Sequence, residues 1–428
     1  MKFKYLITLP LVAVLASCGT SRSAAEKVNQ KLPSDVKKVA ADDEAYQDYI
    51  NAAIDSGLGN LLSFDDTLYH LRVDFDGKLN LKSEQVKSNN NASVHGDVYL
   101  GWNVLSTEDD DYFFAYVGVK DFTVKAHVEY PVFDEETEAL VNTNYDFNYK
   151  NLSLQVFYEE LPGVGALAFI DLSNHGVQDL LKQALVLAGL PEESTVDPET
   201  EEPVIGYKDI LDLVLGTAEE GETYRPGYSY INISQILQAV TEPEGDDGEY
   251  TDEQLYTFAH PLPLIMMEAF EEAYESIAEV AQIAKFVLPS LEPTVGAKVD
   301  AEGNPEKISI VYNSTVKDVV KKFAGEDYDA SELPVSGNFG IKYTVGTNNG
   351  SEELCLEELV VAFYGNVTTE DEDVVANGSI DAKLALDVHY GDQAQIEFPL
   401  TQQALEPYTK NNLTSLIYII LMVANQPK

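Results

Sequence analysis

Basic residues are scarce in this chain of 428 residues: 27 lysines and arginines stand against 73 aspartates and glutamates, a formal net charge of −46. Charge of that sign and size repels nucleic acid and anionic lipid headgroups, which excludes a nucleic-acid role. Cysteine is nearly absent, with Cys18 and Cys355 the whole complement. Tryptophan occurs once, at Trp102, against 25 tyrosines, and this leans against a carbohydrate reader, whose platforms favour tryptophan. The six histidines stand at 70, 95, 127, 175, 260 and 389, too far apart in sequence for a local metal motif. No nucleophile elbow, Walker A loop or HExxH occurs. We therefore expect no enzyme, no metal and no cofactor. No apolar run reaches the roughly 20 residues of a membrane-spanning helix.

What is present begins at the first residue. Lys2 and Lys4 precede an apolar run from Leu6 to Leu15, followed by Leu15-Ala16-Ser17-Cys18. Charge, apolar run and small residues before a cysteine, in that order, make a secretory leader. The last four residues resemble the lipobox of bacterial prolipoproteins. That resemblance implies cleavage between Ser17 and Cys18, and a diacylglyceryl group with palmitate-type acyl chains on Cys18. It also implies an extracytoplasmic protein anchored to the cell membrane. Residues 1–17 are then the signal peptide. With Cys18 acylated, Cys355 has no partner for a disulfide. Residues 18–41 are polar and weakly patterned and read as a flexible tether, locally basic through Arg22, Lys27, Lys31, Lys37 and Lys38.

Residues 42–428 read as one α+β domain: a long, curved antiparallel β-sheet covered by amphipathic helices. A first helix is expected over Asp42–Ile54, closed by Gly57-Leu58-Gly59. Strands dominate 67–172 and 294–399, with a helical block over 173–288. Within the first strand block, Asp76-Gly77 is a hairpin signal joining Leu68–Phe75 to a returning strand at Leu79 and Leu81. Over 112–130, Phe113, Ala115, Val117 and Val119 share one parity, and Phe122, Val124, Ala126 and Val128 share the other. A second switch separates Tyr145, Phe147 and Tyr149 from Leu152, Leu154 and Val156. Each predicts a β-bulge. Gly163-Val164-Gly165-Ala166 precedes a strand-like run and is a turn, not a dinucleotide fingerprint.

In the helical block, Asn174 caps a helix over Gly176–Leu187. The strongest helix runs from Pro263 to Leu288, with an apolar stripe including Ile265, Met266, Phe270, Ile277, Val280 and Ala284. The apolar end at 401–424 reads as a buried helix, with a core strand as the alternative.

Leader, curved sheet and amphipathic helices together resemble the LolA/LppX-like lipoproteins. In that family a sheet folded over helices encloses an apolar cavity for acyl chains. The resemblance implies a lipid or other amphiphile as ligand, with Trp102, Phe122 and Phe147 on the sheet and Met266, Met267 and Phe270 on the helix as pocket candidates. Core packing is the competing reading of each. The alternative function is a cell-surface interaction or structural lipoprotein with a solid core and no small-molecule ligand. On either reading the expected partners are the membrane, through the anchor, and no nucleic acid, and the expected state is a monomer.

Overall fold

Period-two alternation gathers twelve strands into a single sheet. The computed structural model describes residues 28–59, 61, 66–83, 87–106, 111–134, 139–161, 164–187, 189–196, 203–216, 228–245, 248–325, 333–347, 353–371, 374–394 and 412–415. Its first elements are β1 (Lys37–Lys38), α1 (Ala45–Gly59), β2 (Thr67–Ser83), β3 (Lys87–Ser106), β4 (Asp111–Asp134), β5 (Ala139–Leu161) and β6 (Gly165–Asp171). Next come α2 (His175–Leu187), β7 (Thr195–Val196), β8 (Pro203–Val204), α3 (Tyr207–Leu215), β9 (Tyr228–Asn232), α4 (Ile233–Val240), α5 (Asp252–Ala259) and α6 (Pro261–Leu291). The chain continues through β10 (Thr294–Val299), β11 (Pro305–Thr315), α7 (Val316–Ala324), β12 (Val335–Thr347), β13 (Leu354–Asp371) and β14 (Val374–Tyr390).

Twelve of these strands form one open antiparallel sheet in the order β1-β10-β11-β12-β13-β14-β2-β3-β4-β5-β6-β9; β7 and β8 pair separately. The fold is α+β. β14 pairs directly with β2, so the two strand-rich stretches meet at the middle of one sheet.

The Asp76-Gly77 hairpin does not form. β2 runs unbroken through it, with Gly77 opposite Ile380 on one side and Ala92 on the other. Long partner strands on both sides override the local turn preference. Both bulges are present. The β4–β5 register shifts between Val119 and Phe122, where Asp121 has φ 51°, and Asn151 of β5 has φ 54°. An extra residue at each point keeps the apolar side chains on one face across the parity switch.

The stretch read as a tether is docked from Val28 on. Val28 is buried, Gln30 N donates to Asn313 Oδ1 at 2.7 Å, and Lys37 and Lys38 pair with β10. Cys18 and the leader lie outside the described residues, as does all but 412–415 of the apolar C-terminal stretch.

The helical stretch also contributes β9, which edges the main sheet beside β6. Asn174 caps α2 as its sequence predicts, Oδ1 accepting from Val177 N at 3.2 Å. Cys355 is half-buried in β13.

α6 has 31 residues, a length of about 46 Å at 1.5 Å per residue. Near its start, Leu262 and Met266 pack on a cluster of Trp102, Phe113, Tyr158 and Ala166. Near its end, Ala281, Ala284 and Leu288 pack on α1 and the β10–β12 end of the sheet, around Ile50, Ile54, Val295 and Ile308. Lys285 pairs with Asp55 of α1. Two members of the expected stripe, Ile265 and Val280, are exposed instead. At 100° per residue Ile265 falls about 100° from Met266, off the arc that holds Met266, Ala281, Ala284 and Leu288.

Candidate ligand-binding face

Residues paired across antiparallel strands share a face of the sheet. Leu359, Leu386, Leu71, Val98, Val119 and Leu154 stand side by side across six adjacent strands, β13, β14, β2, β3, β4 and β5. On one side of this row lie Ile341, Val361, Leu384 and Val73; on the other, Tyr69, Leu100, Val117 and Val156. The face is apolar over the width of the central sheet.

The opposite face carries charged pairs over the central strands and, towards β6 and β9, a buried cluster of Tyr116, Phe157, Leu167, Phe169 and Tyr230. Arg72 Nη2 meets Asp387 Oδ2 at 2.6 Å, His70 Nε2 meets Asp97 Oδ1 at 2.7 Å, and His127 Nδ1 meets Asp146 Oδ1 at 2.6 Å. Hydrogen bonds donated by the His127 ring to Asp146 and then Glu129 hold the His127 pKa above its ordinary value.

The apolar face is open at its centre. Leu100 and Val117, directly paired, are 46% and 47% exposed, and the paired Val361 and Leu384 are 39% and 37% exposed. Val128 and Tyr145, another direct pair, continue the exposed apolar surface along the β4–β5 ribbon beyond the point where β3 stops pairing. A folded chain that leaves contiguous apolar side chains uncovered presents a site for something apolar.

Of the six residues read from the sequence as pocket candidates, the four with described side chains, Trp102, Phe122, Phe147 and Met266, do not line one pocket. Trp102 and Met266 share the closed cluster at the start of α6. Phe122 sits half-buried on the apolar face, with its ring against Gly96, where a Cβ would lie 2.6 Å from Phe122 Cδ2. Phe147 is 37% exposed on the ribbon, its ring 4.4 Å from that of Tyr145. Met267 and Phe270 fall in α6, and their side chains lie outside what the structure describes. The central pairs of the open face, Leu100–Val117 and Val361–Leu384, are aliphatic, and nothing in their alternation separates them from core residues of the same strands.

Sequence reasoning also missed a buried polar group at the β5–β6 edge. Glu160 is 1% exposed. Its Oε1 accepts from the Tyr158 hydroxyl at 2.6 Å; its Oε2 accepts from Phe113 N at 2.9 Å and meets His260 Nδ1 at 2.9 Å. Burial, with the Glu160 carboxylate beside it, drives the Tyr158 pKa up. Glu159 points to the other face and is 4% exposed; burial pushes its pKa up to about 7. The available signal was two consecutive acids inside Phe157-Tyr158-Glu159-Glu160-Leu161, because alternation sends one of them to each packed face. Next to this group Gly165 has φ 100°, and a Cβ there would lie 2.4 Å from Ser234 Oγ. That turn requires glycine for its conformation and its closeness to α4.

No family model matches the chain, and no curated protein matches it. Among solved structures, one described as lipid–protein interactions in lipovitellin aligns over 79% of this chain at 9% identity and a TM-score of 0.19. The chain spans 27% of that protein's length. An outer membrane channel from Pseudomonas putida F1 aligns over 77% of this chain and 97% of its own, at 7% identity and a TM-score of 0.13. Likenesses this distant carry no argument about the present fold or its ligand.

Proposed function

We propose that this chain is an extracytoplasmic, membrane-anchored bacterial lipoprotein, not an enzyme, that holds an acyl chain or similar amphiphile against the open apolar face of its sheet. The observation that carries this reading is the registered block of aliphatic side chains whose central pairs, Leu100–Val117 and Val361–Leu384, remain exposed. α6 docks near its start on the Trp102 cluster, two residues along β3 from Leu100, and near its end on α1. Each methylene moved from water onto such a surface contributes about 0.8 kcal/mol. A chain of roughly ten methylenes therefore supplies a gross gain of about 8 kcal/mol, from which the entropy of binding is subtracted. The acidity of the body supports an anchor at Cys18 over surface adsorption: loss of Lys2 and Lys4 with the leader takes the net charge from −46 to −48.

Native mass spectrometry of the chain expressed from residue 18, with Cys18→Ser, is expected to show co-purified lipid. Val117→Glu combined with Leu384→Glu is expected to weaken binding of a fluorescent fatty acid at least about tenfold, about 1.4 kcal/mol, while melting stays close to the parent, because both positions are already solvent-accessible. A lipid-free protein that also fails to bind the fatty acid would sink the reading in favour of a surface interaction lipoprotein. For the anchor, full-length Cys18→Ser is expected to move the protein from the membrane to the soluble fraction. Retention with the membranes would refute lipidation at Cys18.

A further inference from the structure

The buried Glu160 faces a cleft of about 320 Å³ between the β5–β6 turn, α4 and α5. The cleft is separate from the open apolar face, since the closed Trp102 cluster stands between them along β3, β4 and β5. Its floor is polar, with Glu160, His260 and Ser234 all buried. Its walls include two aromatic rings, Tyr112 and Phe258, and an exposed aliphatic lip at Leu255. Tyr250 braces Phe258 edge-on, with ring centroids 5.1 Å apart and planes at 89°. No lysine or arginine is among the described residues lining it.

We infer that this cleft takes a small organic cation, with an ammonium group set between the Glu160 carboxylate and the rings of Tyr112 and Phe258. Three observations converge on that chemistry. First, a carboxylate has about four acceptor directions, and Tyr158, Phe113 and His260 occupy three of those on Glu160. The network fixes the carboxylate in place, so that its charge is held at the floor of the cleft as a counter-ion for an ammonium group. Second, Tyr112 and Phe258 line the cleft, and aromatic rings attract a cation more strongly than a neutral group of the same shape. Third, the surroundings exclude an anion: α5, which contributes Leu255 and Phe258, opens with Asp252 and Glu253, and the whole chain carries a net charge of −46. At 320 Å³ the cleft lies at the small end of ligand pockets, which suits a headgroup or a small free amine. The ammonium could come from either source.

The test is a calorimetric titration of the chain expressed from residue 18 with Cys18→Ser, using choline chloride and, as its neutral isostere, 3,3-dimethyl-1-butanol. Choline is expected to saturate a single site, with the neutral compound at least about fivefold weaker. Tyr112→Leu and Glu160→Gln are each expected to weaken choline at least about fivefold. If Glu160→Gln fails to fold, Tyr112→Leu, at a half-buried position, decides alone. Equal binding of the two compounds, no saturation by about 10 mM choline, or choline binding unchanged in Tyr112→Leu would overturn the inference. Loading the protein beforehand from phosphatidylcholine vesicles separates the sources: lost choline binding identifies a lipid headgroup, and retained choline binding a free amine. The Val117→Glu, Leu384→Glu protein keeps this inference distinct from the acyl-chain reading, because it should lose the fatty acid and keep choline.

Discussion

Trp102→Ala is expected to destabilise the protein by about 3–5 kcal/mol, the range for removing a large aromatic side chain from a packed core. Trp102 is 2% exposed. Its strand neighbours are Thr67 on β2 and Ala115 on β4, two small residues that leave the indole its space. Tyr69 tilts against it with ring centroids 5.4 Å apart, and Phe113, Tyr158 and Ala166 complete the cluster. The space left by the indole is bounded on three sides by strands that cannot close in without breaking ladder hydrogen bonds. The fourth side is α6, through Leu262 and Met266. Collapse there would pull the start of α6 away from its seat, so the loss should also appear as faster amide exchange in its first turns. Phe147→Ala is the matched control: on the exposed ribbon it is expected to cost less than about 1 kcal/mol. Urea unfolding midpoints of the two variants provide the measurement. A Trp102→Ala protein within 1 kcal/mol of the parent would mean that the cluster does not seat α6.

The contrast between these two aromatics marks what could be read in the sequence. Alternation is a local property, so strand faces were legible, and so were the bulges: a parity switch at Lys120-Asp121 and another before Leu152 can be satisfied only by an inserted residue. Asp76-Gly77 misled because a turn preference is also local, while the pairing that overrides it is not. Val73, Phe75, Gly77, Leu79 and Leu81 hold one parity straight through the glycine, and that continuity was the better signal. Burial along a face was not legible. Trp102 and Leu100 differ by two positions on one strand and share a face, yet one is sealed and the other half-exposed. The difference is set by where α6 docks, a contact between residues about 160 apart in sequence. Nor could the His260–Glu160 pair, separated by 100 residues, be drawn from spacing.

Glu159→Gln is expected to stabilise the protein at pH 8 and to do so far less at pH 4. Glu159 is almost wholly buried, with Phe114 and Leu167 directly across from it on the neighbouring strands. It has no hydrogen-bond partner among the described residues, and burial raises its pKa from 4.5 to about 7. A carboxyl group whose folded pKa exceeds its unfolded value holds its proton more tightly in the folded state. Its contribution is therefore intact below about pH 4.5, erodes as the pH rises towards 7, and is fully lost above that. At 1.36 kcal/mol per unit, the cost at pH 8 is about 3 kcal/mol. Glutamine keeps the shape and cannot ionise, so the difference in unfolding free energy between variant and parent should grow by about that amount between pH 4 and pH 8. Comparing the two proteins at each pH cancels the many other acids, which titrate alike in both. Parallel pH profiles would show that Glu159 is either solvated or paired. The neighbouring position sharpens the argument: Glu160 is as deeply buried and accepts hydrogen bonds from Tyr158 and Phe113. Two adjacent acids on opposite faces of one strand thus differ in whether the fold supplies donors, and only the unsupplied one should make the sheet less stable as the pH rises from about 4.5 to 7.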